Sequence, residues 1–232
     1  ILSQPGRMVV KLGSRLLSNL RQKLPTKNME CLVATIAGLH SQGWEIILVT
    51  SGALLTGMNC LELPEVPGKV AQRQAVAAIG QCELMHAYNT LFLKHGVQVA
   101  QMLLCRDDLD RRRSYLNART ALETLLGMGV IPIVNENDSV AVDELTFGDN
   151  DTLSALVACK MEAVVLLVLT DVDGLHRGLM KGRRGKSQYP RISFVDKVTP
   201  EILEMAGGIG HGFAKGGMRS KVEAAALATS AR

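Results

Sequence analysis

No apolar run approaches the ~18 residues that a membrane span requires; the longest, 163–169, is strand-sized. The chain does not open on a basic segment followed by an apolar stretch, so a secretory leader is not expected. The five cysteines stand singly, with no Cys-x-x-Cys. They read as reduced thiols of an intracellular protein rather than a disulfide framework. The 22 glycines and 7 prolines follow no period, which excludes collagen and low-complexity chains. An excess of one charge is also missing. A net charge of +4, with a pI near 8.9, is too weak to argue for nucleic acid by itself. Aromatic residues make up 3% of the chain, yet 47% is apolar, which rules out disorder. A chain of 232 residues reads as one large domain able to bury a substantial core.

Short aliphatic runs alternate with helical patterns. Strands are expected over 8–12, 45–49, 97–104, 130–134 and 164–169. Four of the five are continuously apolar across several residues, as strands buried on both faces read. Between them, Met29, Leu32, Val33, Ile36 and Leu39 repeat at helical spacing, and Gly43 stands where that helix would stop. Further helices run through Leu84–Phe92, ending near Gly96, through Tyr115–Leu126, and over 152–160 and 218–229. This alternation predicts an α/β fold, a mostly parallel sheet covered by helices on both sides. No repeat or linker divides the chain, so a single domain over 1–232 is expected, truncated at its C-terminal end because such domains often add a strand after the last helix. The basic stretch 177–190 reads as a solvated surface loop.

Polar and small residues gather at the carboxyl ends of four strands: Lys11-Leu12-Gly13-Ser14, Thr50-Ser51-Gly52-Ala53, Asn135 through Ser139, and Thr170-Asp171-Val172-Asp173-Gly174. In open parallel sheets ligands bind at that edge, where loops and helix N-termini converge. Lys11 interrupts an apolar strand and calls for an anionic partner, such as a phosphate, unless its head reaches water. Gly13 beside it would admit a phosphate close to the backbone. Ser51 and Gly52 open a helical segment whose N–H groups would face an anion, with Ser51 also a candidate N-cap. Asp149, Asn150 and Asp151 precede a helix expected to begin near Leu153; one carboxylate suffices for capping, and the rest suit a substrate ammonium or a metal–phosphate site. The stretch 211–221 is glycine-rich, and Lys215, Gly216, Gly217, Met218 and Lys221 bring backbone and charge to a helix start, the makings of a phosphate loop.

Other patterns fail. Gly185-Lys186-Ser187 lacks the earlier glycine and the strand of a P-loop. Gly210-x-Gly212 lacks the third glycine of a dinucleotide fingerprint. Asp171-x-Asp173-Gly174 has Gly182 where an EF-hand needs glutamate. The five histidines show no metal spacing, and no metal-ligating residue is assigned.

Taken together, Val9-Val10-Lys11-Leu12-Gly13, Val49-Thr50-Ser51-Gly52-Ala53, Gln101-Met102-Leu103-Leu104, Asn117-Ala118-Arg119, Asn135-Glu136-Asn137-Asp138, Gly148-Asp149-Asn150-Asp151, Leu169-Thr170-Asp171 and Gly216-Gly217-Met218 with Lys221 resemble the glutamate 5-kinases of the amino-acid kinase superfamily. The likeness runs from Met8 to about Ala226. It departs from the family pattern at Lys215 and Ser220, where threonine is usual, and at His176-Arg177-Gly178.

The resemblance implies an αβα sandwich around a mostly parallel sheet. It implies transfer of the ATP γ-phosphoryl group to the γ-carboxylate of L-glutamate, the first step of proline biosynthesis, with Mg²⁺ as the accompanying cation. Lys11 and Lys221 would contact the transferring phosphoryl group, and Asp151 would orient them. Ser51, Gly52, Asn135, Asp138 and Asn150 would hold glutamate. Gly13, Ser14, Thr170, Asp171, Lys215, Gly216, Gly217 and Met218 would hold ATP. Proline is expected as a feedback inhibitor, a homo-oligomer as the assembly, and neither a membrane nor a nucleic acid as a partner. The cytoplasm is the expected compartment, or the mitochondrion if the domain belongs to a fused pyrroline-carboxylate synthase. The alternatives are another amino-acid kinase, acting on acetylglutamate, aspartate, carbamate or a nucleotide, and a non-catalytic ligand- or RNA-binding module on the same fold.

Overall fold

The computed structural model describes residues 4–17, 24–140, 150–177, 190–207 and 217–230. Five strands, β1 (Arg7–Leu12), β2 (Glu45–Val49), β3 (Val99–Leu104), β4 (Ile131–Glu136) and β5 (Val165–Leu169), form one sheet in the order β3-β4-β2-β1-β5. Every pairing within this sheet is parallel. The described helices are α1 (Ser14–Leu17), α2 (Lys27–Ser41), α3 (Ala53–Cys60), α4 (Val70–Leu93), α5 (Arg106–Asp110), α6 (Arg112–Gly127), α7 (Asn150–Lys160), α8 (Pro200–Met205) and α9 (Met218–Ser230).

The two-residue period of the strands divides the core into two layers. Met8, Val10, Leu12, Ile46, Leu48, Ile131 and Ile133 face α2 and α4, packing with Met29, Val33, Leu84 and Tyr88. Val9, Ile47, Val49 and Val134 face the other way, against Leu122 and Leu126 of α6 and Leu153 and Val157 of α7. Lys11 therefore shares the α7 face with Val9. The crossovers all share one hand: steps toward β3 pass over the α2/α4 face, and steps back through β4 to β5 pass over the α6/α7 face.

The expected strands are all present, β2 with the bounds expected and the other four with shifted ends. β3 begins at Val99 because Val97 still donates its N–H to Phe92 O in the turn closing α4. β4 runs on to Glu136, since Asn135 and Glu136 pair with Leu103 and Leu104. β5 departs from the both-faces-buried reading. Leu167 is 42% exposed, and the outer edge of β5 pairs with no described strand.

Two glycines set how closely α3 and α4 approach. A Cβ on Gly80 would stand 1.9 Å from Ala53 O, and one on Gly57 would stand 1.9 Å from Val76 O. No side chain fits at either position without moving a backbone, so this helix pair is locked at glycine distance. No described helix is long and apolar enough to cross a membrane.

Candidate active site

The loops that leave the carboxyl ends of β1, β2, β4 and β5 meet at one rim of the sheet, and the register of the strands fixes their order. Lys11 lies opposite Val49 and Val168, and Leu12 lies opposite Leu169. A Cβ on Gly52 would come 3.6 Å from Ser14 Cβ, so the turns after β1 and β2 touch. Gly52 has a positive φ of 102° and leads into α3. Glycine is suited to that left-handed turn. Ser51 does not cap α3 as expected; Gly52 is the N-cap, with no side-chain bond. The Ser51 hydroxyl is turned to another partner instead.

At the centre of the rim lies Asp151, in the first turn of α7 and fully buried. The helix begins at Asn150, earlier than the sequence indicates, so Asp151 is inside the helix and its carboxylate is not a cap. One oxygen, Oδ1, pairs with Lys11 Nζ. The other, Oδ2, accepts from Lys221 Nζ at 3.1 Å and from Ser220 Oγ at 2.8 Å. Lys11 is itself only 5% exposed. Its anionic partner inside the chain is thus a carboxylate. Burial alone would push the Asp151 carboxyl up. The Lys11 ammonium, its hydrogen bond, Lys221 and Ser220 outweigh that and hold it below its ordinary value. Two ammonium groups share one carboxylate, which leaves a net positive charge at a site largely withdrawn from water. Such a site attracts an anion.

Beside this cluster runs a chain of side-chain amides whose direction is anchored on a backbone donor. Glu136 N–H donates to Asn135 Oδ1 at 2.9 Å, so Asn135 Nδ2 is the donor that reaches Gln81 Oε1, also at 2.9 Å. Asn150 Nδ2 donates to Ser51 Oγ at 2.9 Å and to Asn135 Oδ1 at 3.3 Å. Two buried atoms of this chain have no partner: Gln81 Nε2, a donor, and Asn150 Oδ1, an acceptor. One free donor and one free acceptor, each on an amide bonded to Asn135, match a carboxylate and an ammonium on one small molecule. Behind them Thr50 Oγ1 lies 2.9 Å from the buried Tyr88 hydroxyl, bracing the end of β2 against α4.

Most of the residues expected from sequence come together here. Lys11, Asp151 and Lys221 join directly, as do Ser51, Asn135 and Asn150, with Gly13, Ser14 and Gly52 on the adjoining turns. Gly13 is not demanded by the chain itself, since a Cβ there would make only ordinary contact with Leu169 O at 3.7 Å. Asp138 occupies the turn after β4, partly buried. Thr170 and Asp171 follow β5, with Thr170 Oγ1 donating to Asp171 Oδ1 at 3.3 Å. Gly217 and Met218 open α9, and Ser220 Oγ lies 2.9 Å from Gly217 O. Asp149, Lys215 and Gly216 lie outside the described residues, as do most of the basic stretch 177–190 and the 211–216 part of the glycine-rich loop.

Two residues at the site were not singled out by sequence. Ser220 stands out there only as a departure from threonine, yet its hydroxyl supplies the bond to Asp151 that either residue could make. Gln81 was legible in principle. It falls on the buried stripe of α4 with Val76, Ala77, Gly80, Leu84 and Tyr88, where an uncharged polar side chain needs a reason.

Comparison with known proteins agrees with this geometry. The model of the amino acid kinase family matches residues 6–231. Among curated relatives, a glutamate 5-kinase of Marinomonas sp. (strain MWYL1) is 47% identical over 227 residues, covering 98% of this chain and 60% of the relative. One of Moorella thermoacetica is 46% identical over 229 residues, covering 99% and 60%. One of Deinococcus radiodurans is 44% identical over 225 residues, covering 97% and 61%. The chain thus spans about 60% of the length of these relatives. With a parallel sheet, a rim of converging strand ends and a family match over nearly its whole length, the chain belongs to the amino acid kinase family.

Proposed function

We propose that the protein transfers the γ-phosphoryl group of ATP to the γ-carboxylate of L-glutamate, yielding γ-glutamyl phosphate and ADP, the first step towards proline. The observation that carries this reading is the juxtaposition of two ammonium groups on one buried carboxylate, Asp151, with an amide pocket that keeps one donor and one acceptor free. The names of the relatives point the same way.

The chemistry asks for little covalent help from the protein. A γ-carboxylate oxygen is already an anionic nucleophile, so no strong base is needed. It forms a bond to the γ-phosphorus as the bond to the β,γ-bridging oxygen breaks, and that electron pair leaves on ADP. The obstacle is repulsion between a carboxylate and a triphosphate. Such transfers are driven by positioning and charge stabilisation. Lys11 and Lys221 reach the transferring group from two sides, and Asp151 keeps their heads at one place. Ser51, Gly52, Asn135, Asp138 and Asn150 hold glutamate, with Asn150 Oδ1 accepting from its ammonium. Gly13, Ser14, Thr170, Asp171, Lys215, Gly216, Gly217 and Met218 hold ATP.

No group of three carboxylate, histidine or cysteine ligands among the described residues would hold a metal unaided. The exposed Asp171 fits a cation that arrives on the nucleotide and keeps several waters. Mg²⁺ held there would supply positive charge against the phosphates. Proline, with its own ammonium and carboxylate, fits the amide pocket as a competitor of glutamate. The cytoplasm is the compartment this reading favours.

The test is ADP release by the full-length protein with L-glutamate, N-acetylglutamate, aspartate, carbamate and nucleoside monophosphates in turn. L-Glutamate is expected to give the highest kcat/KM. A higher value for any other acceptor overturns the reading, as does salt-sensitive RNA binding with no phosphotransfer.

A further inference from the structure

Gln81 carries a signal that the assignments above do not use. It lies on α4, directly after Gly80, and α4 is pinned there because Gly80 rests against Ala53 O and Gly57 N of α3. The Gln81 position is therefore set by backbone contact with the helix that opens at Ser51–Gly52. The residue is 8% exposed. The orientation of its amide follows from the chain of bonds that begins at the Glu136 N–H. Oε1 accepts from Asn135, and Nε2 is left as a buried N–H donor with no partner. Buried donors are nearly always satisfied, so an orphan that is held this rigidly, one bond away from Asn135, awaits an acceptor. Asn135 also accepts from Asn150, whose free Oδ1 is the complementary orphan of the same chain.

We infer that Gln81 is a substrate-binding residue: its Nε2–H donates to the α-carboxylate of the amino-acid acceptor, while its Oε1 holds Asn135 in place. This rests on the reading of the protein as an amino-acid phosphotransferase. It divides the recognition of the α-carbon between two amides, with Gln81 taking the carboxylate and Asn150 the ammonium. An acceptor without an α-carboxylate leaves the Gln81 donor buried and unpaired, so Gln81 is also a source of discrimination.

The decisive variant is Gln81→Glu. It retains an oxygen for Asn135 but replaces the donor by a negative charge, so the scaffolding is kept and the recognition is reversed. The KM for glutamate is expected to rise by about 10- to 100-fold, the loss of one hydrogen bond to a charged group, with the KM for ATP changing less than about twofold. The glutamate analogue with an α-carboxamide and a free γ-carboxylate reads the same contact from the substrate side. It should be the poorer substrate of the parent protein, and the gap to glutamate should close or invert in Gln81→Glu. If both substrates lose the same factor, or if neither KM moves, the inference is overturned. Should Gln81→Glu fail to fold, Gln81→Met carries the test through the KM for glutamate alone, and an unchanged value overturns the inference.

The wider reading fails separately. If the parent prefers aspartate, the glutamate assignment falls, while Gln81 is tested with aspartate in its place. If the parent prefers carbamate, which has no α-carboxylate, or turns over no acceptor, both fall.

Discussion

Replacing Asp151 by asparagine removes one charge from a site where three are balanced two against one. In the parent, the Asp151 carboxylate is fully buried between Lys11 and Lys221, whose side chains are 6% and 16% exposed. The Asp151→Asn variant would leave two ammonium groups facing a neutral amide, one of them almost without access to water. Stranding a buried charge in this way costs about 3–5 kcal/mol. At a urea dependence of about 2–3 kcal/mol per M for a domain of this size, the unfolding midpoint should fall by ~1–2.5 M. Adding Lys11→Met to Asp151→Asn takes away the stranded charge. The double variant should recover most of that midpoint, an interaction that a double-mutant cycle isolates. The pH dependence has a definite sign. The folded Asp151 pKa lies below its ordinary value. Its contribution to stability is therefore complete above the unfolded value of about 3.9 and is lost as pH falls through the folded value. The parent should lose stability on acidification below about pH 4, and Asp151→Asn should show a shallower loss there. A single variant within ~0.5 M urea of the parent, or a double variant no more stable than the single one, would refute the claim that the three groups form one buried unit.

Lys11→Met and Lys221→Met should each lower kcat by on the order of 10²–10³, as loss of one charge-stabilising donor does; steady-state ADP release checks this, and turnover within about threefold of the parent removes that lysine from the mechanism. Gly80→Ala places a Cβ at 1.9 Å from Ala53 O, so α3 and α4 must part to relieve the overlap. A stability loss of ~1–3 kcal/mol in urea unfolding is expected, together with a raised KM for glutamate because Ser51 and Gln81 shift apart; an unchanged KM would show that α3 and α4 do not set the pocket. Millimolar proline should raise the apparent KM for glutamate without lowering kcat, and a rate unaffected by proline counts against a shared pocket.

How much of this was legible beforehand depended on side-chain size and on where each residue's partner lay. β1, β2 and β4 were plain because central strands of a parallel sheet are aliphatic on both faces. The first half of α4 was not, because it packs on α3 through Val76, Ala77 and Gly80, and small residues make no bulky apolar stripe. α5 is only five residues long, held by the bond from Cys105 N–H to Asp108 Oδ2, and no periodic pattern fits within it. At the site, the strand ends announced themselves through Lys11, Ser51 and Asn135. That Lys11 needs an anion was readable from its apolar strand. That the anion within the chain is Asp151, far along the sequence, was not, since only the crossover of α7 onto the Val9 face brings the two together. Gln81 was hidden for a related reason: its meaning comes from the direction of an amide chain that exists only once β4, α4 and α7 have met.

The most direct test of the account is to trap the product. With ATP, Mg²⁺, L-glutamate and hydroxylamine, the full-length protein should form γ-glutamyl hydroxamate at a rate matching ADP release, and Lys11→Met should lose ~99% or more of it. ADP release without hydroxamate, or hydroxamate formed equally well by Lys11→Met, would contradict the claim that this rim phosphorylates a carboxylate.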